Sequence, residues 1–152
     1  MKIFLATDHA GFEAKEKVKE FLVQKGYDAE DCGAYTFDPE DDYPDFIAKA
    51  AEEVSKDPDS SKAIIFGGSG QGENIVANKF KNIRSVVFYG DNIDIIKVFR
   101  EHNNANILSI GVRFTKEEIT LQAVDVFLKT QFSGEERHIR RIGKIEDIED
   151  KK

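Results

Sequence analysis

The sequence contains only one cysteine, Cys32, and few features of a secreted or membrane protein. A lone thiol cannot form an internal disulfide or a zinc site built from several cysteines, and it fits a reducing compartment. No apolar run approaches the roughly 20 residues that a membrane-spanning helix needs. The first residues become polar too quickly for a secretory signal. We therefore expect a cytoplasmic protein that makes no use of a membrane.

Positive charge is also scarce, because 22 lysines and arginines face 29 acidic residues and leave a net charge of −7. Such a balance argues against general nucleic-acid binding, and it makes any local cluster of arginines more informative. The sequence has no internal repeat and no linker rich in proline, glycine or serine. Its 152 residues, of which 40% are hydrophobic, are typical of one globular domain spanning residues 1–152.

Short apolar runs alternate with longer amphipathic stretches, which is typical of βαβ units on a parallel sheet. The predicted strands are Lys2–Thr7, Asp28–Cys32, Lys62–Phe66, Arg84–Tyr89 and Asn106–Val112. Five helices are predicted between and after these strands. The first has Phe12, Val18, Phe21 and Leu22 on its inward face and Gly26 at its end, and the next three span Tyr43–Lys56, Glu73–Lys81 and Asn92–Asn103. The fifth begins with Thr115 as N-cap and has Glu118 three residues later, which is a capping box. This alternation predicts a three-layer α/β/α sandwich around a five-stranded parallel sheet.

Residues 131–152 form a tail with too little apolar content to fold alone, so we expect it to pack on its own domain or on a partner subunit. Three of the six arginines lie in it, at Arg137, Arg140 and Arg141. If this stretch is helical, Arg137 and Arg141 share one face, and two forked guanidiniums match the oxygens of a phosphate monoester. The alternative is that these arginines pair with the acidic residues that follow them.

The strongest local motif is the glycine loop, Gly67-Gly68-Ser69-Gly70-Gln71-Gly72-Glu73, directly after a predicted strand. Four glycines let the backbone turn sharply and approach a ligand, and the amides at the next helix start can bind an anion. A simple tight turn would need only one glycine. The loop lacks the Gly-Lys-Ser/Thr ending of a P-loop. Dinucleotide binding stays a weaker alternative, because Asp91 lies about twenty residues further on.

Glu73 is our candidate base, since a carboxylate beside this loop could take a proton next to a carbonyl carbon. The alternative is that the helix dipole alone favours an acid in this first turn. The three histidines, His9, His102 and His138, lack metal-ligand spacing, which favours hydrogen-bonding or acid–base roles over metal binding. We interpret the acidic loop Asp38–Asp42 as a solvated connection without an EF-hand pattern.

With these motifs in place, the chain resembles the ribose-5-phosphate isomerase type B family, which includes galactose-6-phosphate isomerase subunits. The resemblance covers nearly the whole chain. It rests on the ordered segments Thr7–Phe12, Tyr43–Asp45, Gly68–Gly72, Ala77–Lys79, Arg100–Asn106 and Arg137–Arg141. It implies a Rossmann-like fold and a sugar-phosphate substrate. It also implies a homodimer or a dimer of dimers whose active sites are shared between subunits. Together with the histidine spacing, it leads us to expect no cofactor and no metal.

The resemblance also implies roles for individual residues. Asp8 and His9 would contact the sugar and the phosphate, and Tyr43 would line the pocket. Ser69 and the amides around Gly70 and Gly72 would stabilise the enediolate, and Gly68 is a further candidate for substrate binding. His102, with Asp8 assisting, would open the furanose ring, and Asn103 beside it is a candidate substrate ligand. The phosphate would be bound by Arg113, Arg137 and Arg141, the last two reaching across from the partner.

One position departs from the majority pattern of the family. Many members have a cysteine base where this chain has Gly67. A branch without that cysteine carries Gly-Gly-Ser-Gly-x-Gly-Glu and uses the glutamate as base, and Glu73 occupies that place. Cys32, at the end of a different predicted strand, is a poor substitute.

The expected function is interconversion of ribose 5-phosphate and ribulose 5-phosphate in carbohydrate metabolism, as in the pentose phosphate pathway. Three alternatives stay open: the same chemistry on another sugar phosphate such as galactose 6-phosphate, a non-catalytic nucleotide- or sugar-phosphate-binding module, and a dinucleotide oxidoreductase.

Overall fold

The apolar runs form one parallel sheet of five strands in the computed structural model, which describes residues 1–151. The strands are β1 (Lys2–Thr7), β2 (Asp28–Asp31), β3 (Ser61–Gly67), β4 (Ser85–Phe88) and β5 (Ile107–Gly111). Their order across the sheet is β2–β1–β3–β5–β4. All five predicted strands are confirmed, with small differences at their ends.

Helices cover both faces of this sheet and bury two separate apolar clusters. They are α1 (Phe12–Gln24), α2 (Pro44–Lys56), α3 (Gln71–Ala77), α4 (Asp94–Asn103), α5 (Glu117–Lys129) and α6 (Glu136–Glu149). One cluster joins the sheet to α1, α4 and α5, with Leu22, Ile96 and Phe127 in its centre. The other joins it to α2 and α3 through Val54 and Ala77. The predicted three-layer sandwich is therefore confirmed.

Two helix boundaries differ from the prediction for local reasons. Thr115 is not the N-cap of α5, because its hydroxyl donates to the Gly111 carbonyl at 3.0 Å and the helix begins two residues later, after Lys116. Helix α3 ends at Ala77 because the Asn78 side chain bonds to the main chain of Ser85 in both directions, at 2.9 Å each. That pair ties the chain to β4 before another helical turn can form.

The tail contains a sixth helix that the strict alternation of five strands and five helices did not include. Helix α6 is tied to the same chain at both ends. Near its start, the Ser133 amide donates to the Glu101 carbonyl at 3.1 Å, and at its end Glu149 accepts from the Asn82 amide at 3.0 Å. Only His138 is buried in this helix. Packing of the tail on a partner subunit stays a prediction. Within residues 1–151, no helix has the length and apolar character needed to cross a bilayer.

The sheet topology determines where a site can form. From β1 the chain turns to β2 on one side, and from β3 it continues towards β5 and β4 on the other side. Ligands in such sheets bind outside the carboxyl ends of the strands at this reversal. Thr7 at the end of β1 is in register with Phe66 of β3, and Gly67 is in register with Gly111 of β5. The segments after these three strands therefore meet at the centre of one edge.

Candidate active site

The glycine loop is fixed against β5 at this carboxyl edge. Gly70 has a φ of +75°, which favours glycine, and a Cβ there would lie 3.0 Å from the Gly111 amide nitrogen. The Ser109 hydroxyl donates to the Gly70 carbonyl at 2.7 Å. The main chain of Ser69 lies against Gly111, where an added Cβ would meet the Ser69 carbonyl at 2.5 Å. The loop amides that precede α3 are thus held in place before any ligand binds.

Glu73 lies in the first turn of α3 with only 4% of its surface exposed. Its carboxyl group fills the space above Gly67, since a Cβ added to that glycine would overlap it. Burial raises the pKa of Glu73, and the nearby charge of Asp8 raises it further, while the residue's own backbone amide opposes the shift. The helix dipole alone would favour a solvated acid, whereas this one is buried against the loop. The arrangement suits a carboxylate that takes up a proton.

Two more side chains lie over glycines of the same loop. The Arg113 guanidinium covers Gly68, whose added Cβ would be 3.1 Å from Cζ. The Tyr43 hydroxyl covers Gly72, with a corresponding distance of 2.6 Å. The sequence explains these glycines by the close approach of a ligand. The structure gives them a second purpose, because each of three glycines leaves room for a side chain of the candidate site.

Asp8 and His9 follow β1 in a short 3-10 turn, His9–Gly11. Asp8 is buried, and its carboxylate accepts from the Ala10 amide at 2.9 Å. The His9 ring lies at the same edge, and Nδ1 pairs with Oδ1 of Asp41 at 2.7 Å. Asp41 belongs to the acidic loop Asp38–Asp42, for which the sequence predicts a solvated connection. That interpretation is wrong for Asp41, whose side chain is only 9% exposed.

The remaining predicted residues lie at the opposite edge of the sheet. Helix α4 returns from the end of β4 to the start of β5, so His102 and Asn103 lie at the amino edge. The His102 ring stacks on that of His138 in α6, with centroids 4.3 Å apart. Since the five residues of β5 separate the two edges by about 15 Å, one chain does not bring His102 to Glu73.

Arg137 and Arg141 flank His138 on α6, and both are exposed. Arg137 pairs with Glu135 at 2.9 Å. The acidic end of the tail instead pairs with Lys81 at 2.5 Å and approaches Arg84 at 3.9 Å. The alternative that the arginines serve to neutralise the acidic end is therefore not what the structure shows.

His138 is a residue that sequence reasoning noted but gave no role. It is 3% exposed, and within residues 1–151 its Nε2 is buried without a hydrogen-bond partner. Burial lowers the pKa of His138, with a smaller contribution from His102. The stacked rings of His102 and His138 therefore lie close to Arg137 and Arg141. Only the helical spacing of Arg137 and Arg141 could have indicated this grouping in advance.

One group of side chains at the carboxyl edge has metal-ligand chemistry. Atoms of Asp8, His9 and Asp41 lie within 4.8 Å of one another. His9 and Asp41 already use their nearest atoms in a hydrogen bond to each other. The spacing of histidines along the sequence gives no information on carboxylates that come from distant loops. That no metal binds here therefore stays a prediction.

Comparison with known proteins places the chain in a family. The profile of the family described as Ribose/Galactose Isomerase matches residues 3–145. Ribose-5-phosphate isomerase B of Mycolicibacterium paratuberculosis is 41% identical over 149 residues, which are 98% of this chain and 92% of the relative. Among solved structures, ribose-5-phosphate isomerase B of Mycoplasma genitalium with bound ribulose-5-phosphate has a TM-score of 0.95 at 36% identity, covering 99% of this chain and 97% of that one.

The enzyme of the same name from Clostridium thermocellum has a TM-score of 0.92 at 39% identity, and the alignment covers 99% of each chain. The matches extend from β1 into α6, so they include both edges of the sheet that carry candidate residues. The chain therefore belongs to the ribose/galactose isomerase family.

Proposed function

We propose that the protein interconverts ribose 5-phosphate and ribulose 5-phosphate through an enediolate, with Glu73 as the base. The observation that carries the proposal is the buried Glu73 carboxyl group, packed on Gly67 beside the donors of the glycine loop. The relatives named ribose-5-phosphate isomerase B support the substrate, as does the Mycoplasma genitalium structure with bound ribulose-5-phosphate.

In this mechanism one carboxylate serves two neighbouring carbons of the sugar in turn. Glu73 removes the proton on C2 of the open-chain aldose, and the C1 carbonyl oxygen becomes an enediolate oxyanion. Ser69 and the amides of Gly70 and Gly72 stabilise that charge, which is the role of an oxyanion hole. Glu73 then delivers the proton to C1, while the proton of the C2 hydroxyl moves to the C1 oxygen, and the ketose results.

The phosphate and the ring-opening step need groups that this chain carries on the other edge. Arg113 is beside the loop, but Arg137, Arg141, His102 and Asn103 are not. A second copy that places its α6 and the end of its α4 over the glycine loop would complete the site. A homodimer, or a dimer of dimers, is thus part of the proposal, and so is the packing of the tail on the partner.

Substrate choice has a second candidate, since the family description also covers galactose isomerases. Ketose formation should be measured with ribose 5-phosphate and galactose 6-phosphate, and thermal shifts with both sugars and NAD. We expect the highest kcat/KM with ribose 5-phosphate. A ligand at 100 times its Kd adds about 2.7 kcal/mol of stability, so only the true substrate class should raise Tm clearly. Stabilisation by NAD without ketose formation would contradict the proposal and favour a dinucleotide-binding protein.

A further inference from the structure

Asp41 holds His9 by two hydrogen bonds to the same oxygen. Its Oδ1 accepts from the His9 amide at 2.9 Å and pairs with the His9 ring Nδ1 at 2.7 Å. The two residues are 32 positions apart, so the contact joins the β2–α2 loop to the turn after β1. Both the backbone and the ring of His9 are fixed by one carboxylate.

The surroundings of the second oxygen of Asp41 indicate that the Asp41–His9 pair does more than stabilise the fold. The Asp41 side chain is 91% buried, and within residues 1–151 its Oδ2 has no hydrogen-bond partner. A buried carboxylate with an unpaired oxygen reduces stability unless a positive charge compensates it. The positive group in contact with Asp41 is the His9 ring when it is protonated.

The hydrogen bond also determines which nitrogen of His9 can meet a ligand. Because Nδ1 faces a carboxylate, it keeps its proton in both the neutral and the charged ring. Nε2 therefore carries a hydrogen only in the charged ring, and this nitrogen is available to a ligand. The charged groups that act on His9 are Asp41 and Asp8, which favour the protonated ring, and Arg113, which opposes it.

We propose that Asp41 is a positioning residue that holds His9 as an Nε2–H donor to the substrate phosphate, beside the Arg113 guanidinium. This inference rests on the place of His9 in the substrate site proposed above. Asp41 itself touches no reacting atom. It fixes the ring and keeps the ring charged, so that an imidazolium and a guanidinium face the dianion together.

Nitrogen-15 NMR of the ligand-free protein tests the Asp41–His9 pair without substrate, and three histidines keep the spectrum simple. We expect the His9 Nδ1–H tautomer in the neutral ring and a titration above the ordinary histidine range. In Asp41→Asn the amide oxygen can still accept from Nδ1, but the charge is lost, so His9 should titrate at lower pH. An Nε2–H tautomer in the unmodified protein would overturn the proposal whether or not the variant folds.

Kinetics then link the pair to substrate. Asp41→Asn should raise KM for ribose 5-phosphate about tenfold at pH 8 and leave kcat within about threefold, because one charge-assisted hydrogen bond is weakened. The ratio of the two KM values should fall as the pH is lowered, because His9 then becomes charged in both proteins. Taking the ratio also cancels the titration of the substrate phosphate. The matched control is Asp42→Asn, an exposed neighbour with the same charge change, and it should behave like the unmodified enzyme.

His9→Gln separates failure of this inference from failure of the proposed site. If His9→Gln raises KM and adding Asp41→Asn raises it no further, Asp41 acts through His9. If Asp41→Asn leaves both KM and the His9 titration unchanged while His9→Gln raises KM, the positioning role is wrong. If His9→Gln leaves KM unchanged, His9 does not bind substrate and the proposed site itself needs revision.

Discussion

The two edges of the sheet carry the two halves of the candidate site in different physical states. At the carboxyl edge, Glu73 and Asp8 are buried and the glycine loop is pinned to β5 by hydrogen bonds. At the amino edge, Arg137 and Arg141 are exposed on a helix that buries only His138. The first half is arranged by the fold of one chain. The arginines of the second half are exposed and not packed into that chain's own core, which is consistent with the proposal that they act on another copy.

The two edges also differ in how their charged groups affect the stability of the fold. Burying an ionisable carboxyl group such as Glu73 reduces stability, and the rest of the fold must compensate for it. Exposed arginines carry no such penalty, because water solvates them. Damage to the carboxyl edge should therefore change chemistry and stability together, whereas damage to α6 should change function alone.

The largest effect should come from Glu73→Gln, which keeps the shape of the side chain and removes the base. We expect kcat to fall at least about 1,000-fold, within the range for losing a positioned general base, with little change in KM. Steady-state kinetics with ribose 5-phosphate would measure this. The matched control is Glu118→Gln, another first-turn glutamate, which is exposed on α5.

The same variant has a pH signature in stability. Since burial raises the pKa of Glu73 in the folded protein, ionisation disfavours the folded state at pH values above the ordinary glutamate pKa. Removing the ionisable group should then raise Tm at pH 8 and have little effect at pH 4, where the carboxyl group is mostly protonated in both states. Near-normal turnover, or a fall in Tm at pH 8, would show that Glu73 is not a buried base.

The next effect concerns the amino edge. Arg137→Ala combined with Arg141→Ala should lower kcat/KM about 300-fold, since two charge-assisted hydrogen bonds to phosphate are lost, while Tm changes little. Arg140→Ala is the control, because it removes the same kind of charge from another exposed position of the same helix.

Combining a chain with a defective carboxyl edge and a chain with a defective amino edge in one dimer tests whether the two edges act across subunits. Hybrid dimers, purified from cells that make a Glu73→Gln chain and a doubly substituted arginine chain with different tags, should recover about half of the normal activity per dimer. One of their two shared sites is then intact and the other carries both defects. If each chain built its site alone, both sites of the hybrid would be defective and activity would stay near the level of the parents.

A smaller effect is expected from Gly67→Ala, which tests why the carboxyl edge is packed so closely. The added methyl group overlaps the Glu73 carboxyl group, so we expect kcat to fall about 100-fold through displacement of the base. Stability should fall by about 1–3 kcal/mol, as for other overpacked sites. Denaturant unfolding would show whether adding Glu73→Ala restores it. Unchanged kcat in Gly67→Ala would mean that Glu73 acts from another position.

The sequence predicted what depends on local patterns, and it missed contacts between distant segments. The strands and the glycine loop were predictable because β-branched runs and glycine clusters have local causes. Asp41 was not, since its contact with His9 joins residues 32 positions apart and an acidic loop usually faces water. Thr115 failed as an N-cap because the motif is local, whereas the Gly111 carbonyl that competes for its hydroxyl is on β5.

The separation of the two half-sites could have been inferred in part. A helix that follows β4 must return to the amino edge before β5 begins, so the position of His102 follows from the alternation of elements. The stacking of His102 on His138 could not be inferred, because the tail offered no fixed distance to the sheet. The sequence did not establish that the tail is helical. The direction of α6 also depends on tertiary contacts, such as the hydrogen bond between Ser133 and Glu101.

The smallest effect should come from the one cysteine, and it separates this chain from relatives that use a thiol base. Cys32 is 6% exposed, and burial raises its pKa to about 11. At pH 8 only about one thiol in a thousand is then ionised, so iodoacetamide should leave activity intact for as long as the protein stays folded. Urea-unfolded protein, in which the thiol is exposed, should react rapidly and serves as the control. Loss of activity in step with alkylation of one thiol, at unchanged circular dichroism, would assign the chemistry to cysteine and remove Glu73 from the mechanism.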